Sequence, residues 1–253
     1  MSPLSVIIIT RNEERNIDAC IRSVSWAEQI VVVDTGSTDR TIEIASTLTK
    51  FVGFLPGAGF VEAKRVALNQ CEHPWVLWLD ADERVPEELA RDIQHAIAVP
   101  GIVVAFEFPR RAFFLGKWIK HCGWYPGYVT RLFMKDHAAF SDNRVHEKLI
   151  IDGTTGRLTH DLLHYTDDSL EHYFTKFNTY TTLAAEELIE EKFQVKLSDL
   201  VLRPPLTFLR MYVAKAGFLD GLHGLVLCVL SAGYVFVKYA KTWQRTGSAS
   251  TVK

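Results

Sequence analysis

The 253-residue chain is 48% hydrophobic and carries 28 Lys and Arg against 30 Asp and Glu, a formal net charge of -2 at pH 7. That much apolar chain buries the core of one large or two fused domains, which excludes a disordered protein. The four cysteines, Cys20, Cys71, Cys122 and Cys228, are far apart with no Cys-x-x-Cys pair, so they carry no zinc signature and read as core thiols in a reducing compartment.

The charge is unevenly spread. Residues 201–253 hold seven Lys or Arg against Asp220 alone, so this tail is +6 and the remaining chain -8. An acidic body with a basic, apolar tail argues against nucleic acid as a partner and for a membrane surface, whose anionic headgroups attract basic residues.

Met1-Ser2-Pro3 leads straight into a short strand, without the basic flank, long apolar region or small-residue cleavage site of a signal peptide, so the protein is expected to stay in the cytosol. That strand, Leu4-Ser5-Val6-Ile7-Ile8-Ile9-Thr10, is β-branched and almost continuously apolar, the pattern of a parallel strand covered on both faces. Polar Arg11 to Glu14 follow, then Ile17, Cys20, Ile21 and Val24 at helical spacing. A second strand, Gln29 to Asp34, ends in Thr35-Gly36-Ser37-Thr38-Asp39 before another helix. The glycines and proline between Phe51 and Phe60 predict a loop with at most one short strand, and a helix over about Val61–Gln70 leads into a third strand, Trp75-Val76-Leu77-Trp78-Leu79-Asp80.

All three strands end in polar clusters: Thr10 with Asn12 and Glu14, Asp34 with Ser37 and Asp39, and Asp80 with Asp82. In an open parallel sheet ligands lie beyond the carboxyl ends of the strands, so these clusters converge. Asp80 and Asp82 alternate onto one side of an extended backbone. Hard cations such as Mg2+ or Mn2+ take one or two carboxylates together with the oxygens of a diphosphate, which makes the pair a metal cradle for a phosphorylated substrate. The alternative, acidic capping of the helix that starts near Pro86, explains one such cluster and not three.

The Asp-Thr-Gly-Ser-Thr-Asp of residues 34–39, followed by Leu79-Asp80-Ala81-Asp82-Glu83, resembles the family 2 glycosyltransferases. The likeness is nearest to the bacterial lipopolysaccharide-core β-glucosyltransferases of the WaaE or KdtX type and extends over most of the chain. It implies an α/β fold of the GT-A (nucleotide-diphospho-sugar transferase) type, a mostly parallel sheet flanked by helices, here with a C-terminal helical membrane-associating tail. It also implies that Thr10 and Glu14, with Asn12 between them, line the nucleoside pocket, that Asp34 contacts base or ribose, and that Asp80 and Asp82 hold Mg2+ or Mn2+ on the diphosphate. Many members carry two consecutive acids where this chain has Asp34-Thr35, and the Thr35 hydroxyl, both donor and acceptor, can serve a base edge instead. Lys64 and Arg65, just before the metal strand, are candidates for a phosphate contact against the commoner reading of solvated charges.

Ile102 to Phe108 reads as a strand, followed by an aromatic and basic stretch with Arg110, Arg111, Phe113, Phe114, Trp118, Trp124, Tyr125 and Tyr128, then a strand over Val129–Phe133. Aromatics among basic residues suit sugar faces and phosphates, so Trp118, Trp124, Tyr125 and Arg131 are candidate acceptor residues; an aromatic core is the alternative. Glu147 sits where the resembled family places its general base, with His146 orienting it or meeting phosphate; the alternative is an exposed turn glutamate. His160 and His164 read as hydrogen-bonded core histidines, although some GT-A enzymes use a late histidine on the metal.

Asp168 to Glu171 resembles a capping box opening a helix whose apolar face includes Tyr173, Phe177, Tyr180, Ala184 and Leu188. Arg203-Pro204-Pro205 marks a boundary, beyond which Leu206 to Phe218 is amphipathic and Leu222 to Val237 apolar but short for a span. Interfacial or re-entrant insertion, with basic anchors on either side, is expected, a dimer interface being the alternative. The expected organisation is a nucleotide-sugar-binding half over residues 1–100, an acceptor-binding half and packing helix over 101–200, a helical tail over 201–245 and a disordered end over 246–253. Together these readings predict a cytoplasmic enzyme, peripheral on the inner membrane, moving a hexose, glucose from UDP-glucose, onto the inner core of lipopolysaccharide. A polyprenyl-phosphate sugar transferase and a non-catalytic sugar-nucleotide-binding protein remain alternatives, with homo-oligomerisation left open.

Overall fold

The computed structural model describes residues 2–141 and 149–248. It divides into two compact units, one of Met1–Arg111 with Gly127–His164 and the other of Ala112–Pro126 with Tyr165–Lys253.

The first unit is built in the order β1 (Leu4–Thr10), α1 (Ile17–Ser23), β2 (Gln29–Asp34), α2 (Thr41–Leu48), β3 (Phe51–Phe54), α3 (Phe60–Asn69), β4 (Trp75–Asp80), β5 (Glu83–Arg84), α4 (Glu87–Ala98) and β6 (Val103–Phe108). The chain leaves this unit within β7 (Arg110–Phe114), forms β8 (Lys117–Trp118), and returns for β9 (Val129–Met134), β10 (Ala138–Phe140), β11 (Leu149–Ile151) and β12 (Thr154–Arg157) before departing again within β13 (Leu162–Asp167).

Seven strands form one sheet in the order β12-β6-β9-β4-β1-β2-β3. β1 pairs in parallel with β2 and β4, β2 with β3, and β12 with β6, while β9 is antiparallel to both its neighbours. All seven residues of β1 are buried because alternate side chains enter different cores. Val6 and Ile8 pack with Ile17 and Ile21 of α1 and Leu89 and Ile93 of α4, whereas Ile7 and Ile9 pack with Ala63 and Ala67 of α3 and with Phe133 of β9. The uninterrupted apolar run therefore reports a strand with helices on both faces.

In the second unit α5 (Leu170–Glu190) starts at Ser169, whose Oγ accepts from His172 N at 3.1 Å. It is followed by α6 (Leu197–Val201), α7 (Arg203–Leu209) and α8 (Gly221–Ser248), with a π-helical turn, Arg210–Ala214, extending α7. Pro204 and Pro205 stand in the first turn of α7, so the expected boundary is a helix start, where a missing N–H costs nothing. The core of this unit joins Phe114, Ile119 and Cys122 to Leu227 and Cys228 of α8.

Candidate active site

Strand register brings the polar strand ends of the first unit together. Thr10 lies opposite Asp34 and Ile9 opposite Asp80 in adjacent parallel pairs, so the carboxyl ends of β2, β1 and β4 are side by side. Asp34 is fully buried, and its Oδ1 accepts from the backbone N–H of Gly36 at 2.8 Å and of Ser37 at 2.7 Å, which pins the turn after β2. Asn12 adopts a left-handed φ of 55° and accepts from Thr38 N through Oδ1 at 2.8 Å, while its own N–H donates to Ser37 Oγ at 2.7 Å. Glu14 Oε2 accepts from Arg40 N at 3.1 Å, and Thr35 N–H donates to Thr10 O at 3.0 Å. Asn12, Glu14, Asp34 and Thr35 thus tie the loops after β1 and β2 into one rigid rim, and Thr10 Oγ1 is buried without a hydrogen-bond partner among the described residues.

At the end of β4, alternation puts Trp78 and Asp80 on the face covered by α3. Arg131 of β9 reaches the same face and donates through Nη2 both to Asp80 Oδ2 and to Glu83 Oε1, the latter at 2.9 Å. Its guanidinium carbon lies 3.8 Å from the Trp78 ring centroid, and Lys64 Nζ lies at 3.8 Å from the same centroid. Glu83 is completely buried, accepts from Asp80 N–H at 3.0 Å, and has Arg110 Nη1 at 3.7 Å. The Asp80 side chain, by contrast, is 39% exposed.

This difference in burial separates the two acids. Burial pushes the Glu83 carboxyl above its ordinary range despite Arg131. Burial acts on Asp80 in the same direction, but Arg131 and Lys64 outweigh it and hold that carboxyl below the usual range. Asp80 is therefore an ionised, partly open carboxylate held in place on one oxygen. Asp82 stands two residues on, its Oδ2 3.5 Å from Nε2 of His164 in β13, whose Nδ1 is buried without a hydrogen-bond partner among the described residues. That separation is longer than the roughly 2.7–2.9 Å of a charge-assisted hydrogen bond. It is closer to the edge of an octahedron with bonds of about 2.1 Å, an edge of about 3 Å, so Asp82 and His164 can both face one cation. Among the described residues no group of three His, Cys, Asp or Glu side chains is gathered closely enough to hold a metal ion by itself; Mg2+ or Mn2+ needs no all-protein cage and takes one or two carboxylates together with the oxygens of a diphosphate.

Of the residues expected from sequence, Lys64, Asp80, Asp82 and Arg131 come together here. Arg131, expected to bind acceptor, is 4% exposed and serves as counter-ion to Asp80 and Glu83. Arg65 donates to Phe140 O at 2.9 Å. Trp118, Trp124 and Tyr125 belong to the second unit, where Trp118 meets Tyr125 edge-on at 5.3 Å and Trp124 meets Phe114 at 6.4 Å. His146 and Glu147 lie outside the described residues. Sequence reasoning missed Trp78 and Glu83, although the first is two residues before Asp80 on the same face, and it took His164 for a hydrogen-bonded core residue.

The fold and this strand-end constellation define a GT-A glycosyltransferase. Residues 5–147 match the model of Glycosyl transferase family 2. The chain is 31% identical to the lipopolysaccharide core biosynthesis glycosyltransferase LpsC of Rhizobium meliloti (strain 1021), over 96% of its own length and 93% of that protein's. It is 28% identical to an uncharacterized glycosyltransferase of Rickettsia typhi (strain ATCC VR-144 / Wilmington), over 95% and 87% of the two lengths. A crystal structure of a mycobacterial protein shares the fold at a TM-score of 0.51 and 16% identity, over 74% of each chain. The chain belongs to glycosyltransferase family 2.

Proposed function

We propose that this glycosyltransferase moves a hexose, glucose from UDP-glucose, onto the inner core of lipopolysaccharide, with inversion, on the cytoplasmic face of the inner membrane. The observation that carries the reading is Asp80, fixed and kept ionised by Arg131 beside Asp82 and His164. The end-to-end likeness to LpsC supports a lipopolysaccharide-core acceptor. Asp80, Asp82 and His164 would hold Mg2+ or Mn2+, whose charge would neutralise the departing nucleoside diphosphate. Thr10, Asn12, Glu14, Asp34 and Thr35 form the nucleoside rim, and Lys64 and Arg65 stand on α3 beside the diphosphate position. In a single in-line displacement the acceptor hydroxyl must lose its proton as it attacks, and Glu147 is the base for that proton, with His146 orienting it. Trp118, Trp124 and Tyr125 are acceptor-side aromatics.

The test is transfer of labelled sugar from a panel of nucleotide sugars to lipopolysaccharide-core acceptor, with Mn2+-dependent thermal stabilisation read in parallel. Asp82→Ala should abolish both transfer and the Mn2+ effect; Glu147→Gln should abolish transfer and leave donor binding intact. Label appearing only in a chloroform-soluble lipid phosphate would favour polyprenyl phosphate as acceptor, and binding without any transfer would leave a nucleotide-sugar-binding protein.

A further inference from the structure

The second unit carries an apolar surface that its own helices leave uncovered. Leu206, Leu209 and Val213 recur at spacings of three and four along α7 and its π-helical turn, with exposures of 60%, 51% and 58%. The stripe continues over the turn into α8 through Phe218, Leu219 and Leu222, exposed by 50%, 60% and 71%. Monomeric proteins in water seldom leave so continuous a patch bare.

The turn itself is tightly specified. Ala216 and Gly221 take left-handed φ values of 52° and 63°, and a Cβ on Gly224 would lie 2.0 Å from Gly217 O. Asp220 is buried and accepts from His121 N–H at 2.8 Å and Lys120 N–H at 3.3 Å. An ordered, internally satisfied hairpin with an apolar tip can leave water without stranding a polar group.

Charge identifies what covers it. Arg210 and Lys215 flank the stripe and are exposed, and the sole acid between residues 201 and 248, Asp220, is buried. A contact with the same surface of a second copy would offer these cations no exposed acid from residues 201–248, whereas anionic headgroups complement them.

Composition alone would allow a span. Gly217–Thr246 is long and apolar enough to cross a membrane, and 22% of its most apolar stretch is buried. The far half of α8 is committed to water, however. Lys241 Nζ donates to Asn178 O at 2.9 Å and to Thr181 Oγ1 at 2.8 Å, and Arg245 pairs with Glu186 at 2.8 Å on the exposed surface of α5. Nearer the tip, Tyr234 Oη donates to Tyr180 O at 3.2 Å, so α5 and its exposed Asn178 and Thr179 run alongside α8 from there onward. Drawing these groups into hydrocarbon is costly, and the stretch of α8 left to enter, from Leu222 to about Val229, is about 12 Å long at 1.5 Å per residue, matching interfacial depth and not a bilayer.

We infer that the α7–α8 end of the second unit inserts into one leaflet of an anionic lipid bilayer, its apolar stripe entering the headgroup–acyl boundary with Arg210 and Lys215 on the lipid phosphates. This goes beyond the transfer reaction and holds whichever sugar and acceptor the enzyme uses. Full-length protein should co-sediment with vesicles of phosphatidylethanolamine and phosphatidylglycerol and much less with phosphatidylcholine alone. Leu219→Asp with Leu222→Asp should lower partitioning at least tenfold, on the order of two leucines kept out of the membrane. Arg210→Gln and Lys215→Gln should each lower it about fivefold at low salt and have little effect at high salt. Because all four native cysteines are buried, nitroxide can be attached selectively after Leu219→Cys or Trp243→Cys, with helicity and melting checked for each. The label at 219 should enter the lipid while that at 243 stays in water. Absence of vesicle binding would overturn the inference, as would hydrocarbon burial of both labels or protection at 219 through a concentration-dependent dimer in lipid-free buffer.

Discussion

Replacing Arg131 by Met tests the electrostatic frame of the candidate site most directly. Arg131 is the shared cation of Asp80 and Glu83, and its removal leaves Glu83, with no exposed surface, to the Asp80 N–H at 3.0 Å and the more distant Arg110 at 3.7 Å. Breaking a buried pair by deleting one partner costs about 3–5 kcal/mol, chiefly through the stranded charge. The cost must depend on pH. In the native protein Asp80 has a lowered pKa, so its contribution is present above the unfolded carboxylate value and lost as pH falls through the folded one; Glu83, with a raised pKa, opposes folding as pH rises above its unfolded value. Without Arg131 both folded values rise. The penalty should therefore be greatest at neutral pH and shrink toward about pH 4, where unfolded carboxylates also take up protons. Hydrogen exchange of the β4 and β9 amides measures this for the first unit separately. Adding Glu83→Gln should recover about 1–3 kcal/mol, since the two substitutions remove one interaction. A penalty below about 1 kcal/mol, or one independent of pH, would refute the buried-charge account.

Three further outcomes follow from single contacts. Asn12→Gly keeps the left-handed backbone and loses the bond to Thr38 N, whereas Asn12→Ala also incurs about 1–2 kcal/mol of steric strain, so urea unfolding should rank glycine the more stable while both weaken UDP-sugar binding. His164→Ala should raise the Mn2+ concentration needed for UDP-dependent thermal stabilisation by at least about tenfold, and an unchanged titration would remove His164 from the cation site. Gly224→Ala must push Gly217 O aside and should cost about 1–3 kcal/mol or more, read as faster hydrogen exchange in the first turns of α8.

The parts of this molecule legible in the sequence are those governed by short-range pattern. The apolar run of β1 announced a strand covered on both faces, those of β2 and β4 announced further strands, and their polar ends announced a ligand side, because parallel neighbours align their carboxyl ends whatever the length of the crossover. Ser169 and the periodicity after it likewise gave α5. What depended on long-range register stayed hidden. The mostly parallel sheet was legible, but not which strand runs the other way: β9 is antiparallel to β4, with Val76 opposite Phe133 and Leu77 opposite Leu132. The same register carries Arg131 beside Trp78, one strand spacing from Asp80, and so converts a candidate acceptor residue into the counter-ion of the acidic pair.

The same distinction explains why the tail was half understood. Periodicity made Leu206 to Phe218 amphipathic, and composition made the following run apolar but short for a membrane span, yet neither could show that α8 continues to Ser248 or that its far half lies along α5. Length and hydropathy are properties of one segment, whereas the choice between crossing a bilayer and resting in its surface is made by neighbours. Here Lys241 and Arg245, bound to Asn178, Thr181 and Glu186 of another helix, are what favour the inferred surface docking over a span. An apolar helix is free to span only when every element packed against it can also enter hydrocarbon, and α5 cannot.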